Sequence, residues 1–256
     1  MKKNNIQKLI KEIEEKKSVS DKFHLLTSNK RNISAPKDIP QSWFKIYFKT
    51  YPRLDRVFFK NAKTIKSKLG KILIDRRSIR KFSGFSISKE ELSYLLFSSS
   101  GLTHLGKTID ESKRPYPSAG GRYPLEIYPI ILNCEGIEKG LYHYNVKENS
   151  LELLLKKDLD KWLTSVTSEA KWIEKSAVVF IITGVLNRTR IKYGDKGYRL
   201  ALIETGHLSQ NILLLATEMR LYSCPLGGFI DKEVNNLLDV DLQKEVALYM
   251  IAIGKL

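Results

Sequence analysis

The sequence predicts an α+β domain, in which helices and strands mix without a regular βαβ alternation. Three observations predict this class. A capping box opens a helix ahead of several short apolar segments. One of those segments is a continuous β-branched run, as found in the central strand of a sheet. The longest predicted helix is apolar nearly all round, so we expect it to be buried in the domain or at a subunit interface. With 256 residues, the chain is long enough for a sizeable core.

A basic segment precedes this domain. Residues 1–70 carry +12 of the formal net charge of +16, and residues 71–256 carry only +4. We therefore predict a basic N-terminal extension over residues 1–70, which begins with a short charged helix over residues 2–17. The charge either forms a solvated surface or attracts an acidic peptide or protein subunit. No nucleic-acid-binding motif accompanies it, so we expect no specific nucleic-acid partner.

The elements of the domain over residues 71–256 follow in order. Ser88 and Glu91 form the capping box of a helix that ends near Gly101. The long apolar helix is predicted over residues 198–219. The predicted strands cover residues 125–132, 141–146, 151–155, 177–183 and 246–253, and the second and third are joined as a hairpin.

Several classes of protein are excluded by composition. No apolar run is long enough to cross a bilayer, and the first residues lack the apolar middle of a secretory signal. Cys134 and Cys224 are far apart, and the four histidines are scattered without metal-ligand spacing. We therefore expect a cytoplasmic protein without a structural disulfide or a metal site.

Two segments carry chemistry. Arg76, Arg77, Ser78 and Arg80 offer three guanidinium groups and a hydroxyl, a set suited to phosphate. Positions 76 and 80 share a helix face and position 77 points elsewhere, so we expect one of the three arginines to face solvent. The segment 117–121, Pro-Ser-Ala-Gly-Gly, contains two glycines that allow the backbone to approach a flat ligand. Together they suggest a nucleotide-like cofactor, although a surface charge run and an ordinary turn are the simpler alternatives.

The arginine segment resembles the opening motif of the nitroreductase family of flavoenzymes. Within that family, residues 117–126, 192–199 and 204–211 resemble the SagB-type dehydrogenases, which oxidise thiazolines and oxazolines in ribosomal peptides to azoles. The likeness covers roughly residues 75–256. Lys196 and Arg220 depart from the family pattern.

The resemblance implies a nitroreductase-like fold, with a central mixed sheet flanked by helices, and a homodimer with one FMN at each interface site. It also assigns cofactor contacts. The FMN phosphate and ribityl chain would be held by the arginine segment, with a second phosphate contact from Lys255. The ring would lie between two backbone segments, which are Pro117, Ser118, Ala119 and Gly120 on one side and Gly227 and Gly228 on the other.

Lys192 and Tyr193 are the predicted catalytic pair. Lys192 would take a proton from carbon, if cationic neighbours or a dry pocket lower its pKa, and Tyr193 would relay or stabilise that proton. Without the resemblance, a solvated basic turn explains the pair. Glu204, His207 and Asn211 form a polar stripe on the long helix, which predicts a satisfied buried hydrogen-bond network.

Three functions are open at this point. The first is an FMN-dependent dehydrogenase that acts on a precursor peptide containing azolines, with O₂ as electron acceptor and cyclodehydratase subunits as possible partners. The second is an NAD(P)H-dependent reductase of nitro compounds or quinones with the same fold. The third is a flavin-free scaffold of a peptide-modifying complex.

Overall fold

The computed structural model describes residues 18–29, 40, 48–59, 67–167 and 170–256. The predicted helix over residues 2–17 lies outside them. Seven α-helices and six strands are found in the described part, together with three short 3₁₀ turns. The helices are α1 (Val19–Thr27), α2 (Lys68–Asp75), α3 (Lys89–Ser100), α4 (Asp160–Val166), α5 (Asn187–Tyr193), α6 (Lys196–Glu218) and α7 (Asp231–Leu238). The strands are β1 (Leu125–Ile131), β2 (Gly140–Asn145), β3 (Ser150–Leu155), β4 (Val178–Val185), β5 (Tyr222–Leu226) and β6 (Glu245–Gly254).

The six strands form one sheet in the order β3-β2-β1-β4-β6-β5, and every neighbouring pair is antiparallel. The expectation of a mixed sheet is therefore wrong. The last strand, β6, lies between β4 and β5, a long-range placement that no local pattern reveals. Parallel pairing within the described residues is limited to isolated bridges, such as Ser78 with Ser223.

Helices cover both faces of the sheet. Along β4, Phe180 and Ile182 face the core formed with α3 and α6, whereas Val179 and Ile181 face the core formed with α4 and α7. This alternation is the normal period of a strand, and burial on both faces explains why β4 reads as a continuous apolar run. The predicted α+β class and the central position of this strand are confirmed.

The long helix α6 is only partly enclosed. Its inner residues, such as Leu208 and Ile212, are fully buried, but Leu202 and Ile203 are exposed at 39% and 51%. The capping box on α3 forms as predicted, because the Ser88 hydroxyl accepts the Glu91 N–H while the Glu91 carboxylate accepts the Ser88 N–H.

Part of the N-terminal extension packs on the domain. Helix α1 lies against the start of α6, where His24 Nδ1 is 2.9 Å from Tyr198 Oη, and Asp21 forms an ion pair with Arg190. After the helix, the Asn29 side chain donates to the Gly227 carbonyl at 3.1 Å. The predicted division of the chain at residue 70 falls within α2 and stays a prediction.

Candidate functional site

The glycine loop, residues 117–123, leads into β1. Its chain reverses at Gly120 and Gly121, which both have φ of +64°, a left-handed conformation that glycine adopts at no steric cost. The Ser118 Oγ accepts the Tyr123 N–H at 2.8 Å and closes the loop. The sequence Ser-x-Gly-Gly therefore forms a tight, exposed turn with its backbone open to a ligand.

Lys192 and Tyr193 lie directly against this loop. They end α5, and Gly194 with φ of +56° turns the chain into α6. A Cβ built on Gly120 would be 2.7 Å from Tyr193 Oη and 3.0 Å from Lys192 Nζ. The Lys192 ammonium lies 5.4 Å from the centroid of the Tyr193 ring. The structure thus brings the predicted catalytic pair and the glycine loop together, and only glycine leaves room for that contact.

Glu204 lies beneath the same loop. It projects from α6, it is 2% exposed, and neither carboxylate oxygen has a partner in hydrogen-bonding geometry. Burial raises the pKa of Glu204 to about 7, although the nearby Ser118 hydroxyl, the Ala119 N–H and Arg114 oppose this shift. Burial likewise raises the pKa of Tyr116, a neighbour of Glu204, to about 12.

The predicted polar network on α6 is therefore wrong. Glu204 is buried but unpartnered, His207 is exposed, and Asn211 lines a surface cavity between α2 and α6. Residues spaced three and four apart lie on one broad stripe of a helix. Of the three residues on this stripe, the glycine loop covers only Glu204. The sequence pattern identified Glu204 but not its contact with the loop.

A polar cluster beside the glycine loop was not predicted. Arg188 forms an ion pair with Glu126 at 2.5 Å and donates to the Tyr123 carbonyl at 3.1 Å. Burial raises the pKa of Glu126, but hydrogen bonds from His143 and Arg188 outweigh burial and leave it lowered. The cluster lines a cavity of about 370 Å³. Its members come from three distant parts of the chain, so no local spacing could reveal it.

The arginine segment lies along the edge of the sheet, not on a helix. Helix α2 ends at Asp75, and the Ile79 N–H donates to the Ser223 carbonyl of β5 at 3.0 Å. The shared helical face considered for positions 76 and 80 is therefore wrong, because these residues are extended. Arg77 folds back and donates to the Ile74 carbonyl at 2.6 Å, where it satisfies the C-terminal end of α2.

The other members of the arginine segment cluster near β5. Arg76 is half-buried, Ser78 and Arg80 are exposed, and Arg76 is 3.5 Å from the Ser78 hydroxyl. Arg80 lies beside Cys224. Burial raises the pKa of the Cys224 thiol, and Arg80 partly opposes this shift. Cys224 is itself buried, as expected of a small core residue.

Lys255 lies at the same end of the sheet. It follows β6, and its ammonium forms an ion pair with Glu91 at 3.1 Å. Gly227 and Gly228, after β5, are exposed. A Cβ on Gly228 would meet no atom within 4 Å, so a flat group has open access to this backbone.

The predicted contacts form two groups at opposite ends of the sheet. Ser78 pairs with Ser223, which is level with Val178 at the start of β4. The glycine loop meets the other end of β4, where the Val185 N–H donates to the Pro124 carbonyl. The eight residues of β4 span about 23 Å. Among the described residues, no hydrogen bond or ion pair joins the arginine segment to the glycine loop.

Two kinds of feature are absent from the described residues. In the described ranges, no group of three or more His, Cys, Asp or Glu residues is arranged to hold a metal ion. The same part of the chain contains no helix long and apolar enough to cross a membrane.

A family model and two proteins from other organisms match this chain in sequence. The model of the Nitroreductase family matches residues 73–255. "Putative nitroreductase MJ1384" of Methanocaldococcus jannaschii is 33% identical over 188 residues, which are 73% of this chain and 91% of that protein. Microcin B17-processing protein McbC of Escherichia coli is also 33% identical, over 142 residues, which are 53% of this chain and only 51% of McbC.

A solved structure shows the same fold. A chain of the E. coli microcin synthetase McbBCD complex with truncated pro-MccB17 bound superposes with a TM-score of 0.72. The superposition covers 87% of this chain and 84% of that chain, at 22% identity. At this identity the likeness concerns the fold alone.

Proposed function

Because this chain belongs to the nitroreductase family, we propose that it is an FMN-dependent dehydrogenase that oxidises thiazoline or oxazoline rings of a ribosomally made peptide. The observation that carries the proposal is the contact of the glycine loop with Lys192 and Tyr193. A lysine and a phenol, the groups needed to move a proton, lie against the loop that the resemblance assigns to the flat ring. The similarity to McbC, a microcin B17-processing protein, supports a peptide substrate.

The residues present fit FMN. Gly227 and Gly228 provide open backbone, whereas the left-handed turn at Gly120 lies against Lys192 and Tyr193. Arg76, Ser78 and Arg80 at the sheet edge are a suitable donor set for a phosphate. In this arrangement Arg77 caps α2 and Lys255 is paired with Glu91, so both would have to change partners to contact phosphate.

The separation of the two groups supports a homodimer. A single mononucleotide cannot reach both ends of a strand of about 23 Å and also cross the sheet. The site would therefore combine the arginine segment of one protomer with the glycine loop and Lys192 of its partner. The exposed apolar residues Leu202 and Ile203 on α6 fit such an interface.

The proposed reaction removes two hydrogens from each azoline ring. When bound, FMN supplies the acceptor for the hydride and passes the two electrons to O₂. Lys192 would accept the proton that leaves ring carbon, and Tyr193 would hold Lys192 or relay its proton to solvent. The glycine loop keeps the ring within reach of both side chains. Such positioning of a general base is worth about 10²–10⁴-fold in rate.

Mass spectrometry of an azoline peptide incubated with the protein tests this function. Conversion should lower the mass by about 2 Da per ring, since two hydrogens leave. Lys192→Ala should keep its flavin and lose the conversion. Lys196→Ala is the matched control, because Lys196 is also an exposed lysine, one turn away at the start of α6. A wild-type rate for Lys192→Ala with flavin bound would refute the assignment of the base.

The alternative function is an NAD(P)H-dependent reductase of nitro compounds or quinones. The similarity to MJ1384 over 91% of that protein favours it. Stopped-flow mixing with NADPH separates the two functions. Rapid bleaching of the flavin by NADPH favours the reductase, whereas bleaching only by an azoline peptide favours the dehydrogenase. A colourless protein that takes up no added FMN would instead favour the scaffold.

The basic extension and the proposed peptide substrate together suggest that this chain binds other proteins or peptides. We propose that the positive charge of residues 1–70 helps to dock an acidic leader peptide or a cyclodehydratase subunit. The solved McbBCD assembly, which holds a related fold and a truncated pro-peptide, supports looking for such a complex. Size-exclusion chromatography with the candidate subunits at low and high salt tests it, since a charge-driven complex should dissociate as salt increases.

A further inference from the structure

The Glu204 carboxyl is buried without a hydrogen-bond partner, which is energetically costly for a polar group. It is 2% exposed, and neither oxygen accepts a hydrogen bond in the described structure. A buried carboxyl without donors is tolerated when protonated, but ionisation requires donors or solvent. The geometry in the structure therefore suits the protonated form, and the ionised form must draw in whatever donors are nearest.

The nearest donors belong to the glycine loop. The Ser118 hydroxyl and the Ala119 N–H both lie close enough to Glu204 to favour its ionised form. Ser118 already accepts a hydrogen bond from the Tyr123 N–H, so its hydroxyl hydrogen is available for Glu204.

Other charged and titratable groups surround this contact. Arg114 and Tyr116 face Glu204 from the segment before the loop, and Lys192 and Tyr193 contact the loop at Gly120. His207, one turn along α6, is exposed. Arg114 Nη1 donates to the Tyr116 hydroxyl and the Leu125 carbonyl at 3.2 Å each, and the positive charge of Arg114 favours the ionised form of Glu204.

We propose that Glu204 is a positioning residue, whose ionised carboxylate pulls Ser118 and Ala119 toward α6 and so sets the distance between Gly120 and the Lys192–Tyr193 pair. The proposal deepens the function proposed above and rests on it for the catalytic consequence. The loop movement itself depends only on this chain. A Cβ on Gly120 would lie 2.7 Å from Tyr193 Oη and 3.0 Å from Lys192 Nζ, so a small movement of the loop changes the space in which the substrate ring would meet its base.

Hydrogen–deuterium exchange of the full-length protein tests the loop movement without any cofactor or substrate. Peptides covering residues 117–123 are followed at a pH well below and a pH well above 7, with correction for the intrinsic exchange rate. Ionisation of Glu204 should slow exchange of this loop about tenfold or more, the effect expected of a hydrogen bond to a charged group. Glu204→Gln should abolish the pH dependence, because its side chain does not ionise.

Ser118→Ala provides the second variant. It removes one donor and leaves the carboxyl, so it should reduce the pH-dependent protection even if Glu204→Gln fails to fold. Equal pH dependence in wild type, Glu204→Gln and Ser118→Ala would overturn the proposal.

A kinetic arm separates this proposal from the proposed function. In wild type, kcat for azoline oxidation should show a step near the pH at which the loop becomes protected, and Glu204→Gln should lack this step while retaining its flavin. A loop that responds to pH in a protein that oxidises no azoline would refute the dehydrogenase and leave the Glu204 contact standing. A normal kcat profile in Glu204→Gln would remove the catalytic consequence of the contact.

Discussion

Replacement of Glu204 by Gln should change how the stability of the protein depends on pH. Glutamine has nearly the same shape as glutamate but no proton to lose, so the variant isolates the ionisation of this buried side chain. The carboxyl lies between α6 and the glycine loop, and burial is the largest cause of its raised pKa. The wild-type protein must therefore become less stable as this group ionises.

The magnitude follows from the size of the pKa change. The pKa rises from 4.5 to about 7. At about 1.4 kcal/mol per unit of pKa shift, this corresponds to about 3 kcal/mol of unfolding free energy. Because the folded state holds the proton more tightly than the unfolded state, this stability is complete below pH 4.5 and is lost as the pH rises to about 7. Between about pH 5 and about pH 8, the loss should be about 2–3 kcal/mol.

Equilibrium urea unfolding at fixed protein concentration measures this quantity. The fixed concentration matters because the proposed association of protomers would also contribute to apparent stability. The difference between wild type and Glu204→Gln should change by about 2–3 kcal/mol across this pH range. Glu218→Gln, at an exposed carboxyl on the same helix, is the matched control and should show no such change. Parallel pH profiles for wild type and Glu204→Gln would refute the argument.

Three further outcomes are expected. Gly120→Ala should abolish flavin uptake and destabilise the protein by about 1–2 kcal/mol, because its φ is +64° and its Cβ would collide with Tyr193. An unchanged flavin absorbance at about 450 nm would contradict this. Ser88→Ala should lower the unfolding free energy by about 1 kcal/mol in the same urea assay, since it removes the cap of α3, and an unchanged midpoint would show the cap to be dispensable. Burial lowers the pKa of His24 below 6.5, so protonation should release α1 as the pH falls below that value; limited proteolysis should then cut near residues 18–29, and equal resistance at neutral and acidic pH would argue against this.

Elements with strong local signals were predictable from the sequence. The capping box fixed the start of α3, and the β-branched run identified β4 as a central strand. The hairpin of β2 and β3 was placed to within one residue, because its turn and both apolar runs are adjacent in the chain. In each case the determining interaction lies within a few residues, which is what a local pattern can report.

Elements that depend on long-range contacts were not predictable. The strand β5 is short and lies at the sheet edge, with Pro225 within it, so it carries little strand signal. The position of β6 between β4 and β5 is likewise a long-range placement. Phosphate binding by Arg77 and Lys255 stays a prediction; in the structure their partners are the Ile74 carbonyl and Glu91.

The candidate site also combines features that could be predicted from the sequence with features that depend on long-range contacts. The resemblance selected Lys192, Tyr193 and the glycine loop from separate parts of the sequence, and the structure brings them into contact. The burial of Glu204 under the loop could not be inferred from its spacing on α6. The wide separation of the arginine segment from the loop also required the register of the sheet.

The central claim is that one redox site is built from the arginine segment of one protomer and the glycine loop with Lys192 of the other. Mixing Arg80→Ala protein with Lys192→Ala protein tests it most directly, after exchange of differently tagged protomers has been verified. Each variant alone should oxidise no azoline peptide. Half of the dimers in an equal mixture are heterodimers with one intact site of two, so about a quarter of wild-type activity should return. A mixture of exchanged protomers that stays as inactive as its components would contradict the shared site.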